Sequence, residues 1–206
     1  MPDRWGRLAP LSGIAFAVLG LAAFASATGA PDAKASGDTV IAFVKAHSSA
    51  MQTSDVLWTV AFAFLVVFAG SLRAFLRRAP GSEAASAVML AGAAMFAAGA
   101  SVYFGADFVL GADGRHLAPA AAQALNALAL TLVLPLCIGG FLFGVSSGAA
   151  IVRADELPHW LGWFAFVLGL VALTPAALAA VVLYFVWAII VSVLVFRRHA
   201  APAVVG

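Results

Sequence analysis

Charge is what this chain of 206 residues has least of. Asp, Glu, Lys and Arg make up 10% of it and hydrophobic residues 64%, where a soluble domain carries about 25% charged and about 45–50% apolar residues. Nine acids and eleven bases cannot cover a soluble domain of this length. A bilayer removes the penalty on outward-facing Leu, Val and Phe, so the shortage of charge excludes a soluble globular class. The single cysteine, Cys137, lies in an apolar stretch. It excludes an intramolecular disulfide and leaves the redox compartment unread. A net charge of +2 is too small for a nucleic-acid surface, so the bases read as orientation signals and lipid-headgroup contacts.

Chemistry is sparse as well. There is no GxSxG, no HExxH and no glycine-rich phosphate loop, and Ser146-Ser147-Gly148 has no base in sequence reach. Intramembrane proteolysis would need a Ser–His pair, paired aspartates or a zinc motif inside helices, and none is present. His47 and His116 share one side with Asp55 and Asp107, but no ligand pair has metal-site spacing. His159 and His199 lie on the other side, and no histidine is deep enough to ligate haem. No acid sits near the centre of an apolar stretch, which disfavours a proton carrier built on a buried carboxylate. The reading therefore leans away from an enzyme, with no cofactor and no metal.

What the chain does have is six apolar stretches, at about 8–27, 55–75, 84–108, 120–144, 158–174 and 176–196, against about 20 residues needed to cross a bilayer. Arg4, Arg7, Arg73, Arg77, Arg78, Arg153, Arg197 and Arg198 fall at alternate boundaries, and only Lys34, Lys45 and Arg115 at the others. Cytoplasmic loops hold excess Lys and Arg, so this split places both termini inside. The first stretch also looks like a signal peptide, with Ala25-Ser26-Ala27 as a small-residue cleavage site. Its apolar run exceeds the usual 7–15 residues of a signal core, which favours an uncleaved helix.

Residues 29–54 form the longest polar connection. Val40, Ile41, Phe43, Val44 and His47 predict a short amphipathic helix there, lying at the outer interface and capped by Asp38. Arg77-Arg78-Ala79-Pro80-Gly81 predicts an inner turn, Pro119 the first turn of the fourth stretch, Pro135 a kink, and Thr174-Pro175 a tight outer hairpin. Trp160 and Trp163 suit an inner aromatic belt and Trp58, Tyr103 and Tyr184 an outer one, whereas Trp187 fits neither. No internal repeat supports an inverted-repeat transporter.

Two groups of residues are candidate sites. Gly140, Gly144 and Gly148 recur every fourth residue, a small-residue helix face suited either to dimerisation or to packing within one subunit. Asp55, Asp107, Gln123 and Asn126 sit at the outer ends of their stretches and could converge as a polar vestibule, or simply end helices among the headgroups. Arg73, Arg77 and Arg78 could meet anionic lipid heads, though orientation alone accounts for them.

Arg7-Leu8-Ala9-Pro10-Leu11-Ser12-Gly13 leads into the first stretch and Glu156-Leu157-Pro158-His159-Trp160-Leu161-Gly162-Trp163 into the fifth. Together they resemble a family of small actinobacterial six-span membrane proteins catalogued as a domain of unknown function. The abundance of Ala, Gly, Val and Arg suits a GC-rich genome of that kind. The resemblance implies a fold and a location but no activity, and so assigns no catalytic residue. It gives position 159 an interface role.

The expected fold is an all-α membrane protein, a single domain over residues 1–206. It is a bundle of six transmembrane helices in a bacterial plasma membrane, with cytoplasmic termini and a short amphipathic helix in the first outer loop. The expected partners are the lipid bilayer and a homo-oligomer or larger membrane complex, with no nucleic acid. The leading functional expectation is a non-enzymatic accessory or assembly subunit held through small-residue helix faces. The alternative is a small transporter or channel with a polar outer vestibule.

Overall fold

The structure, a computed structural model, describes residues 8–27 and 29–200, except the side chains of 199 and 200. Arg4 and Arg7, which carry part of the orientation argument, lie outside the described residues with both chain ends, as does the side chain of His199. A short 3-10 turn at Ala9–Leu11 leads into α1 (Ser12–Ser26). Then follow α2 (Gly37–Leu76), α3 (Glu83–Asp113), α4 (Pro119–Thr131), α5 (Val133–Ala154), α6 (His159–Val171) and α7 (Ala177–Ala200). Among the described residues there is no strand. Five helical stretches, Ala9–Ser26, Gly37–Leu76, Glu83–His116, Pro119–Ala154 and Ala177–Arg198, are long and apolar enough to cross a membrane. The chain is a multi-pass, all-helical membrane protein in contact with lipid. The stretch expected as a fifth span holds only the 13-residue α6, about 20 Å at 1.5 Å per residue.

The turns fall where local chemistry puts them. Gly81 takes φ +81° in the loop after α2, and Ser82 donates its hydroxyl to the Leu76 and Ala79 carbonyls, tying the turn to the end of the helix. Pro119 stands in the first turn of α4, where its missing N–H costs nothing. The helix breaks at Leu132, between α4 and α5. Pro135 lies three residues on, and its ring would clash with the carbonyl of Thr131, four residues before it. Thr174-Pro175 falls in the turn between α6 and α7.

The connection after α1 differs from expectation. Val40, Ile41, Phe43, Val44 and His47 do not form a separate short helix; they are the opening turns of the 40-residue α2. The polar run Ser48-Ser49-Ala50-Met51-Gln52-Thr53-Ser54 contains no Pro or Gly, so nothing interrupts the helix. Its cap is Ser36, whose hydroxyl accepts from the Thr39 N–H at 3.3 Å. Asp38 sits inside the first turn, where its carboxylate faces the partial positive charge of the helix start.

At 1.5 Å per residue α2 is about 60 Å long, twice the roughly 30 Å of hydrocarbon. Its first half, the end of α3 and the start of α4 build a small core of Val40, Val44, Met51, Leu110 and Ala122. A second, larger core fills the bundle and is rich in rings: Phe16, Phe62, Phe96, Phe143, Tyr184 and Trp187. Tyr184, expected in an outer aromatic belt, is 1% exposed and donates its hydroxyl to the Gly140 carbonyl at 3.0 Å. Trp58 is buried too, whereas Trp160 and Trp163 are 55% and 60% exposed. Trp187 is fully buried and donates to the Leu161 carbonyl, which explains why it fits neither belt.

Candidate functional site

Next to the small core of Val40, Val44, Met51, Leu110 and Ala122, α1, α2, α3 and α7 surround a cavity of about 430 Å³. Asp55 and Trp58 reach it from α2, and Tyr103, Phe104 and Asp107 from α3. The spacing is the reason: residues three and four apart share one helix face, so each helix offers a carboxylate and aromatic rings to the same space. Gly29 and Ala30, in the loop after α1, border it with Phe24 and Leu178. Both of these apolar side chains are exposed on the bundle's outside. Ser54 donates to the Ala23 carbonyl at 3.1 Å and ties α2 to α1 beside the cavity.

Asp55 is the unusual member. It is 3% exposed, and its Oδ2 is buried with no hydrogen-bond partner among the described residues. A buried carboxylate without a partner is costly, and such groups are otherwise paired or used. Asp107 is half-buried on the facing helix. The walls between them are aromatic: the rings of Trp58 and Phe104 are stacked, and Tyr103 meets Phe104 edge to face at 4.9 Å.

A second, apolar space of about 160 Å³ shares the walls Trp58, Tyr103, Phe104 and Leu178 and is completed by residues including Phe62, Leu136 and Val181. Beneath it the bundle is closed by packed rings, with Phe62 against Phe96 at 4.8 Å and Phe143 against Trp187 at 5.8 Å.

The four polar residues singled out from the sequence therefore divide. Asp55 and Asp107 line one cavity, while Gln123 and Asn126 do not border it. Gln123 is exposed on α4. Asn126 is 2% exposed and donates its amide to the Asp32 carbonyl at 3.1 Å, fastening the loop after α1 to α4. His47 bonds the Phe43 carbonyl one turn back, and His116 accepts from Arg115. Neither histidine borders the cavity. The sequence assigns Trp58 and Tyr103 to an outer aromatic belt and gives Phe104 no role. Their spacing from Asp55 and Asp107 was the available signal.

Gly140, Gly144 and Gly148 are buried inside the chain, against α6 and its neighbours. A Cβ at Gly144 would stand 2.6 Å from Gly169 Cα, and one at Gly148 2.6 Å from the Gly162 carbonyl oxygen. Gly139, on the adjoining face, meets the α3 backbone at Phe96, and Gly92 of α3 meets Phe143 of α5 in return. These small residues let α5 lie close to both α3 and α6, the way helices associate without water. The face is occupied within the chain and is not free for a partner.

At the opposite end of the bundle, Arg73, Arg77, Arg78, Glu83 and Ser86 border a polar hollow. There His159 pairs with Asp155 and Arg198 with Glu156, each at 3.0 Å. The actinobacterial likeness rests on the quoted residues alone: comparison with protein-family models, curated proteins and solved structures finds nothing that matches this chain.

Proposed function

We propose that the protein is a small transporter that takes a cation into the cavity between Asp55 and Asp107. The observation that carries this reading is the buried, unpartnered Oδ2 of Asp55 beside a space large enough for a solute. A cation there compensates a buried carboxylate oxygen that no described residue satisfies. The packed rings beneath the cavity favour binding followed by a conformational change over an open channel.

On this reading α6 and the turn after it complete a sixth crossing. The arginine-rich end and both termini face the cytoplasm of a bacterium, and the small outer core stands outside its plasma membrane. The alternative of an accessory subunit held by Gly140, Gly144 and Gly148 loses its surface to α6 and would need another.

The test is flux of tetramethylammonium into proteoliposomes. Asp107→Asn should abolish uptake with unchanged helicity and elution volume; unchanged uptake would count against the carboxylate site. Orientation is checked separately in a Cys137→Ala background with a membrane-impermeant maleimide on intact cells. Lys34→Cys should label at once and Arg78→Cys only after permeabilisation. The reverse pattern would overturn the topology.

A further inference from the structure

We infer that the cation is an organic one whose apolar substituents lodge in the space beneath the carboxylates. The inference rests on the cation-site reading above and adds the class of solute.

The donor set argues against a bare metal ion. Calcium takes about 6–8 oxygen ligands and magnesium a near-ideal octahedron. Two carboxylates are present, but the Ser54 hydroxyl already donates to a backbone carbonyl, and much of the remaining wall is aromatic or aliphatic. Such walls cannot replace the water shell of a small, strongly hydrated ion. They suit a weakly hydrated ammonium or phosphonium, which aromatic faces attract within about 6 Å and whose substituents gain from leaving water.

The shape agrees. The charged chamber of about 430 Å³ and the apolar one of about 160 Å³ share Trp58, Tyr103, Phe104 and Leu178 as common walls. A charged head between Asp55 and Asp107 would thus have an aromatic-walled seat for its substituent directly alongside. Phe24 and Leu178 border the upper chamber and are exposed on the lipid-facing outside of the bundle. This gives an amphiphile partitioned into the outer leaflet a route in from the side.

Equilibrium binding of tetraphenylphosphonium and tetramethylammonium to the purified full-length protein in nanodiscs tests this. Tetraphenylphosphonium should bind more tightly by about tenfold or more, the scale set by added apolar groups in a fitted pocket. Val181→Phe, which fills the lower chamber, should remove that advantage and leave tetramethylammonium within twofold of wild type. The Asp55→Asn, Asp107→Asn double variant should bind neither and so reports the lipid background.

Equal affinity for the two cations in the wild type, a comparison that needs no variant, overturns the inference and leaves the cation site standing. Equal weakening of both by Val181→Phe in a folded, monodisperse sample also overturns it. Binding of neither cation above the double-variant background overturns both the inference and the reading beneath it.

Discussion

The rings of Trp58 and Phe104 are stacked, with centroids 5.4 Å apart and planes 6° from parallel. Trp58 is one turn from Asp55 on α2, and Phe104 one turn from Asp107 on α3. The stacked pair therefore fixes how far apart the helices stand where the two carboxylates face one cavity. Ring pairs of this kind contribute about 0.5–1.5 kcal/mol beyond their burial, which favours the present spacing of the two helices.

A ligand that binds only the folded state stabilises it, by about 2.7 kcal/mol at a hundred times its dissociation constant. Tetramethylammonium should therefore raise the thermal midpoint of the purified protein, and Asp55→Asn should abolish the rise. The variant's own midpoint should stay close to that of wild type, because the amide keeps the volume of the carboxyl it replaces. Scanning fluorimetry across a concentration series measures both effects, and a ligand-dependent rise surviving in Asp55→Asn would exclude that carboxylate from the site.

One substitution made at two glycines should act with opposite sign. At Gly144 an added Cβ meets Gly169 Cα at 2.6 Å, whereas at Gly70 it meets nothing within 4 Å. Gly144→Ala should cost about 1–3 kcal/mol through overpacking. Gly70→Ala should instead add up to about 1 kcal/mol by removing a flexible residue from a helix interior. Thermal midpoints in one detergent decide the matter. Equal shifts would mean that α5 and α6 do not touch as described.

The outer core should loosen separately from the bundle. A Cβ on Gly37 would stand 2.6 Å from Pro119 Cα, against backbone that cannot step aside easily. Gly37→Ala should therefore speed amide exchange over residues 37–52 and 119–126 and leave α5 and α7 protected. Uniform loss of protection across the chain would show the two cores to be one cooperative unit.

Asn126→Ala should free the first outer loop. The lost hydrogen bond to the Asp32 carbonyl contributes about 1 kcal/mol, and Lys34 is already exposed two residues along. Trypsin should cut after Lys34 several-fold faster in the variant, while cleavage at the arginine-rich end stays constant. An unchanged rate would place the loop's anchor elsewhere.

The readable parts of this molecule were those set by local punctuation. Pro119, the Pro80-Gly81 turn and Thr174-Pro175 act through their own backbones, so a sequence announces them. The continuous α2 was hidden because Ser48 to Ser54 look like a loop by composition, although they include no residue that stops a helix. For Gly140, Gly144 and Gly148 the period reveals a face but not its occupant, and both α6 and another molecule fitted it. Asp55 and Asp107 could be matched from their shared side of the membrane. The bond from Asn126 runs to a main-chain carbonyl 94 residues away, a tie that no spacing announces.

Asp55 lies near the midpoint of the 40-residue α2, where the outer core ends and the bundle core begins. One unbroken helix therefore runs from the outer cap, past the site, to the arginine-rich end. Rigid elements of this kind carry displacement between distant places. The small core and the carboxylate are thus mounted on one rod, and the helix offers no break at which the two could turn independently.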